Sequence, residues 1–390
     1  MNTKLIIVGG FLGAGKTTAI LSMAKHFMQT GLKIGIVTND QGSQLVDTHF
    51  LRANGLEVLS VEGGCFCCNF DEFTQKIAEL RGSKDIDILL AEPVGSCTDL
   101  IATIFKPLLK NKAPMLDKFE KEFALAPLSI VADPKRIKRL MMQERAGNDD
   151  NGDGDGDKGT FPSTAAFPTE VNYLFDKQLQ EAGIIIINKC DTLPSEEIYL
   201  IEAFLRHKYP GIDVLRVSAK TGSGLKGWID RIMHTPYTPG GAALQIDYGA
   251  YARAEAALGW LNALYFITAD IPADINCRAR EFMKNICAEI TARNTEIAHV
   301  KCYCIGQHEF YKASITGTND ELDESSVMTQ PQKNINLIIN ARVNIDPDLL
   351  RRICEDAIIK AFPEFSIQNV ATENFRPAPP NPTYRLIDQD

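Results

Sequence analysis

No stretch of this 390-residue chain approaches the ~20 consecutive apolar residues that a membrane span requires. The apolar run Leu5 to Val8 is too short for a secretory core and leads directly into a glycine-rich loop, so a soluble cytoplasmic protein is the expectation. Basic charge is also scarce: 41 Lys and Arg face 50 Asp and Glu, for a net charge of -9. With no basic patch of useful length, neither nucleic acid nor an anionic membrane is an expected partner. Six histidines leave no room for a histidine-rich metal store. Ten cysteines are too sparse for a disulfide scaffold and read as buried small hydrophobes or metal ligands. Apolar residues, by contrast, make up 45% of the chain, enough for a full core in about two domains.

The first 235 residues alternate short β-branched runs with amphipathic helical segments, the pattern of a parallel sheet covered by helices on both faces. Strands are expected at Lys4 to Val8, Lys33 to Thr38, Val58 to Val61, Ile86 to Ala91, Leu128 to Ala132, Ile184 to Asn188 and Val214 to Val217. Several lead into loops rich in Gly, Asp, Asn or Lys, where open α/β sheets bind ligands. The acidic, glycine-rich segment Gly147 to Gly159 cannot bury enough apolar surface to order itself, and residues 147–160 are read as a disordered insertion. It is not a calcium loop, because counting from Asp149 the twelfth position is Thr160 rather than a bidentate Glu. The two prolines and two glycines between Thr235 and Gly241 mark a boundary, giving domains 1–238 and 239–390.

Beyond that boundary a strand (Leu264 to Thr268), a helix (Cys277 to Arg293) and two strands (Ile297 to Ile305, Glu309 to Thr316) are expected. A polar loop, a strand (Ile335 to Val343) and a helix (Pro347 to Phe362) complete a smaller α+β domain with helices on one face of an antiparallel sheet. The proline-rich tail Arg376 to Pro382 reads as extended.

Gly10 to Thr17 (GFLGAGKT) matches G-x-x-x-x-G-K-[ST] at every fixed position, after a strand and before an amphipathic segment. Backbone N–H groups of Gly13, Ala14, Gly15, Lys16, Thr17 and Thr18 are expected to cradle phosphates, helped by the helix N-terminus. Lys16 would reach the β and γ phosphates, and the Thr17 hydroxyl would ligate Mg²⁺. Asn188-Lys189-Cys190-Asp191 follows the apolar run Ile184 to Ile187. The Asp191 carboxylate suits the guanine N1–H and exocyclic amine, and adenine would leave that acceptor unpaired. Ser218-Ala219-Lys220, one helix and strand later, would offer N–H groups to the guanine carbonyl. Glu92, ending the strand before Pro93-Val94-Gly95, could hold the Mg²⁺ shell or orient the attacking water, and Gly95 could approach the γ-phosphate closely.

Cys65, Cys67 and Cys68 place three thiols within four residues after two glycines. They could converge on one zinc or other late transition metal, leaving a fourth position for a carboxylate, an imidazole or an exogenous ligand. Three buried or redox-active cysteines without metal is the other reading. His299, Cys302, Cys304 and His308 do not form a second such site, since on a strand the two thiols share a face that His299 does not.

In this order GGFLGAGKTT, GGCFCC, ILLAEPVG and NKCD, with SIVADP and SAKTGSGL, resemble the CobW-like metal-centre GTPases, relatives of the urease and hydrogenase accessory GTPases. The resemblance covers about residues 1 to 235 and implies a P-loop GTPase that handles a metal, with Cys65, Cys67 and Cys68 as ligands of Zn²⁺ or Co²⁺. After the second strand, where the family commonly has Asn-Glu-Phe-Gly, this chain has Asn39-Asp40-Gln41-Gly42, making Asp40 a candidate for the Mg²⁺ shell and, with Lys16 and Glu92, for the catalytic set. Residues 246–390 lack the family's C-terminal pattern.

The leading expectation is GTP binding with slow hydrolysis, because no arginine is assignable to the γ-phosphate, coupled to delivery of zinc or cobalt to a client metalloenzyme. The alternative is a GTP-gated module that activates or reloads a corrinoid or cobalamin enzyme without carrying metal itself. A GTP-dependent homodimer accompanies either reading.

Overall fold

A computed structural model describes residues 2–39, 46–83, 85–113, 119–149, 167–238, 244–318 and 320–387. Its first sheet contains β1 (Thr3–Gly9), β2 (Ile34–Asn39), β3 (Val58–Val61), β4 (Ile88–Glu92), β5 (Phe123–Leu125), β6 (Ser129–Ala132), β7 (Ile184–Ile187) and β8 (Asp213–Arg216). The order is β3-β2-β4-β1-β6-β7-β8, with β5 beside β1, and the pairings are parallel. Sequence dictates this burial. Every residue of β4 and of the four-isoleucine β7 is buried, as strands covered on both faces must be. The helices α1 (Lys16–Gln29), α2 (Val46–Ala53) and α3 (Phe70–Ser83) follow β1, β2 and β3. Because the strands run the same way, the loops leaving β1, β2, β3, β4, β7 and β8 gather at one sheet edge. The order reverses at β1, where the chain opens a crevice.

The second sheet is antiparallel, in the order β12-β11-β10-β13-β9-β14. Its strands are β9 (Gly259–Ala273), β10 (Ile297–Ile305), β11 (Phe310–Ile315), β12 (Asp323–Ser326), β13 (Gln332–Val343) and β14 (Ser366–Phe375). Helices Ile275–Thr291 and Pro347–Ala361 share a core with one face, which includes Cys302 and Cys304. Alternation turns the intervening residues to the opposite face. There Tyr303 and Ile338 join the core of the first sheet, and Phe50 of α2 meets the rings of Tyr303 and Phe310 at 6.5 and 6.1 Å. The antiparallel sheet thus lies with its helix-free face on the parallel-sheet half of the chain.

Several elements differ from the sequence reading. The helix Pro134–Asp149 runs through Gly147, Asn148 and Asp149, because extending a formed helix is cheaper than nucleating other structure. Residues 150–160 of the expected insertion, and Asp40, lie outside the described residues. The polar loop after Thr316 contains β12, while β5, β14 and the helix Tyr248–Ala256 were not expected. That last helix follows the 238/239 boundary in sequence but contacts helix Thr169–Gln180 of the first half, and Tyr251 and Ala254 share its core. Among the described residues no helix is long and apolar enough to cross a membrane.

Candidate nucleotide and metal site

The phosphate loop leaves β1 and enters α1 at Lys16. Gly15 has φ +91°, and a Cβ there would stand 2.5 Å from Asn188 Nδ2, so only glycine fits. Lys16 is buried, donates to the Phe11 carbonyl at 3.3 Å, and is held below the ordinary lysine range by that burial, against the opposing pull of Glu92. Thr17 Oγ1 donates to Glu92 Oε1 at 3.0 Å, while Glu92 Oε2 is buried without a hydrogen-bond partner. Burial first, and then the charge of Asp47, push the Glu92 carboxyl up to about 7. A Cβ on Gly95 would come within 3.0 Å of Lys16 Nζ, so the loop after β4 presses directly on the phosphate lysine.

The residues expected to read the base meet the same loop. Asn188 donates to Ala14 O at 2.9 Å and accepts from Ala219 N–H at 2.9 Å, tying the phosphate loop to the loop after β8. Lys189, in the left-handed region at φ +55°, reaches back to Gly13 O and to Asp133 Oδ2, both at 2.7 Å. Asp191 is exposed and lines a cavity of about 590 Å³ with Thr18, Asn188, Lys189, Ala219 and Lys220. Ser218 lies beneath it, its Oγ accepting from Thr221 N–H at 3.1 Å, and Lys220 pairs with Asp323 at 2.6 Å. The structure therefore brings the described residues expected at the phosphates and the base together, and Asp40 lies outside the described residues.

It also brings in residues that sequence reasoning missed. Lys301 of β10 and Lys312 of β11 line the phosphate cavity with Lys16, Thr17 and Glu92. Asp47 of α2 ion-pairs with Lys301 and stands 3.9 Å from Lys312. Burial opposes its charge, but the two lysines hold Asp47 down at about 2. Burial in turn pushes Lys312 down to about 8. His299 lines the cavity too, buried among cations that, with burial, keep it well below the ordinary histidine range. Alternation with Cys302 and Cys304 was a signal that Lys301 faces away from their core, but nothing in the spacing said what it would face.

Cys65, Cys67 and Cys68 converge: Cys65 Sγ lies 2.8 Å from Cys67 Sγ and 2.9 Å from Cys68 Sγ, with 3.9 Å between the latter two. Side-chain contacts with Cys67 and Cys68 push the Cys65 thiol far down, and the contact with Cys65 pushes Cys67 up and Cys68 up to about 11. A donor set of soft sulfurs fits zinc. Among the described residues these are the one group of His, Cys, Asp or Glu arranged to hold a metal. Asn39, ending β2, shapes their loop: its Nδ2 donates to Val61 O at 3.0 Å and Gly64 O at 2.6 Å, and its Oδ1 accepts from Phe66 N–H at 2.8 Å.

Two further segments flank the cysteine loop. Cys97, in the loop after β4, is buried in the same core as Cys65 and Cys67. The tail crosses the outside of the loop, where Thr383 donates from N–H to Cys67 O at 2.8 Å and from Oγ1 to Cys68 O at 2.9 Å. Arg385 then pairs with Asp99 at 2.6 Å, anchoring the tail beside Cys97.

A family model described as CobW/HypB/UreG, nucleotide-binding domain, matches residues 4–215. Zinc-regulated GTPase metalloprotein activator 1 of Dictyostelium discoideum is 24% identical over 227 residues, 54% of this chain and 44% of that protein. Zinc chaperone CobW of Pseudomonas aeruginosa is 26% identical over 219 residues, 52% of this chain and 53% of its own. Zinc chaperone YeiR of Escherichia coli is 27% identical over 203 residues, 50% and 49% of the two chains. The matched region spans about half the length of these curated relatives. A family match across more than half of the chain coincides with a phosphate loop, a base-reading loop and a cysteine loop on one sheet edge, and the chain belongs to the CobW/HypB/UreG family of P-loop GTPases.

Proposed function

We propose that this chain binds GTP with Mg²⁺, hydrolyses it slowly, and uses the nucleotide state to control a transition metal held by Cys65, Cys67 and Cys68 and passed to a client metalloprotein. The observation that carries this reading is the convergence of three thiols on a loop stapled by Asn39, whose neighbour Thr38 stands opposite Glu92 in the β2–β4 register. Zinc in the names of three relatives favours that metal over cobalt. In this reading the N–H groups of residues 13 to 18 cradle the phosphates, and Lys16 and Gly95 meet the γ-phosphate. Thr17 and Glu92 hold Mg²⁺, and Glu92 Oε2 orients the attacking water. Asp191 reads guanine, and the N–H groups around Ala219 meet its carbonyl. Purified protein should hold stoichiometric zinc and prefer guanine to adenine nucleotides in competition; protein that takes up no metal sinks the metal-handling half.

Asp191→Asn tests the base assignment separately. An amide donor complements the C2 carbonyl of xanthine, so GTP affinity should fall while xanthosine triphosphate gains. An unchanged preference for GTP in a competition titration removes Asp191 from base recognition.

Lys301 supplies the cation for which the sequence offered no arginine. It lines the phosphate cavity, and its partner Asp47 holds it there. Lys301→Ala should slow single-turnover hydrolysis by about 10²-fold, the cost of removing one charge-stabilising donor, with a smaller change in GTP affinity. A rate within twofold of wild type means that Lys301 only braces α2.

A further inference from the structure

We propose that Lys312 of the second sheet binds the terminal phosphate of GTP, so that the antiparallel sheet tells GTP from GDP. The inference rests on the GTP-binding reading of Lys16, Thr17 and Glu92 and adds a residue to the same site.

The second sheet reaches the phosphate loop directly. A Cβ on Gly13 would stand 2.8 Å from Thr316 Cγ2, just past β11, and 3.0 Å from Ala298 O of β10. Lys301 of β10 pairs with Ser314 of β11, two residues from Lys312, so alternation puts both lysines on one face of the sheet. That face walls the phosphate cavity. Gly15, Thr18 and Lys189 line both this cavity and the adjoining one that holds Asp191, whereas Lys16, Thr17, Glu92 and Lys312 line the phosphate cavity alone. Lys312 therefore stands at the end away from the base, where the last phosphate of a triphosphate would lie.

The two lysines differ in what holds them. Lys301 donates to Asp47 Oδ2. Lys312 Nζ lies 3.9 Å from Asp47 Oδ1, beyond hydrogen-bond reach, and 3.4 Å from the centroid of the Phe50 ring. Asp47 Oδ1 is itself buried without a hydrogen-bond partner among the described residues. A lysine only 5% exposed thus has a distant carboxylate and a ring face for company. Burying a charge is costly unless it is both paired and hydrogen-bonded, and a phosphate oxygen supplies the two together. GDP brings no such oxygen to this end of the cavity and leaves Lys312 with Asp47. The contact therefore joins β11 to the phosphate loop in the GTP state alone.

Titration of the full-length protein with a non-hydrolysable GTP analogue and with GDP, both with Mg²⁺, tests this in Lys312→Met, which keeps the stem over Phe50 and removes the charge. Affinity for the analogue should fall by about tenfold or more, the loss of one charge-assisted hydrogen bond, while GDP affinity stays within about twofold. Equal losses for the two nucleotides, or no loss in a variant that melts like the wild type, overturn the assignment and leave the GTP-binding reading standing. Wild-type protein that binds neither nucleotide overturns both. A crystal structure of the wild type with the analogue decides the question even if the variant fails to fold. Lys312 Nζ is expected within about 3.2 Å of a γ-phosphate oxygen, and an Nζ left beside Asp47 overturns the proposal.

Discussion

Lys16→Ala lowers GTP affinity by about two orders of magnitude or more while the protein stays folded. The side chain is buried in the loop that would wrap the phosphates and lines the cavity there. Charge-assisted hydrogen bonds are worth about 1.5–3 kcal/mol each, so losing contacts to two phosphates costs at least about 3 kcal/mol. At 1.4 kcal/mol per factor of ten, that is on the order of 10²-fold. The fold tolerates the change because Lys16 makes a single 3.3 Å bond to Phe11 O, and the carboxyl it faces, Glu92, sits at about 7 and can take up a proton once the cation is gone. Isothermal titration with a non-hydrolysable GTP analogue, beside a thermal melt, is the measurement. Affinity retained within twofold in a folded variant would be incompatible with the phosphate-binding assignment.

Zinc affinity at the cysteine loop differs between the GTP and GDP states, by about 5- to 150-fold if the coupling has the usual 1–3 kcal/mol. The physical path is short. Thr38 lies opposite Glu92 across the β2–β4 ladder, and Asn39, the next residue, makes three hydrogen bonds to the chain around the thiols. Glu92, which in the proposed reading would change partners when Mg²⁺ and the γ-phosphate arrive, therefore stands beside the strand end that sets the shape of the cysteine loop. Thermodynamic linkage then requires reciprocity: zinc must change GTP affinity by the same factor. Chelator competition in the apo, GDP and GTP-analogue states measures one arm, and nucleotide titration with and without zinc measures the other. Cys67→Ala should abolish tight zinc binding and, with it, the effect of zinc on nucleotide. Equal zinc affinity in all three states would reject nucleotide control and leave the cysteines a static role.

What could be read from the chain was whatever its chemistry writes locally. The phosphate loop is eight contiguous residues whose glycines, lysine and threonine act at fixed spacing, and the three thiols lie within four residues. Strands β4 and β7 announce themselves as unbroken apolar runs because both their faces are covered. Alternation along β10 likewise separated Cys302 and Cys304 from His299. Elements without such patterning went unseen: β12 is Asp-Glu-Ser-Ser, and β14 is largely polar and exposed, so each is a strand only because a neighbour offers hydrogen bonds.

Tertiary structure decided which distant residues share the site. Lys301 reaches a loop ending at Thr17 because the helix-free face of the second sheet lies against α2, and alternation separates two faces without naming what each will meet. Thr383 bonds to the carbonyls of Cys67 and Cys68 although proline-rich sequence encodes only an extended path, with no destination. Cys97 shares the core of Cys65 through the order β3-β2-β4, and strand order is set by the packing of the whole chain rather than by any segment of it. The sequence by itself determined the chemistry available, a glycine-rich loop suited to phosphates, a carboxylate suited to guanine and a set of soft sulfurs, because each is carried by neighbouring residues. Which charges stand beside them was left to contacts between residues far apart in sequence, whose juxtaposition depends on long-range packing that local spacing does not encode.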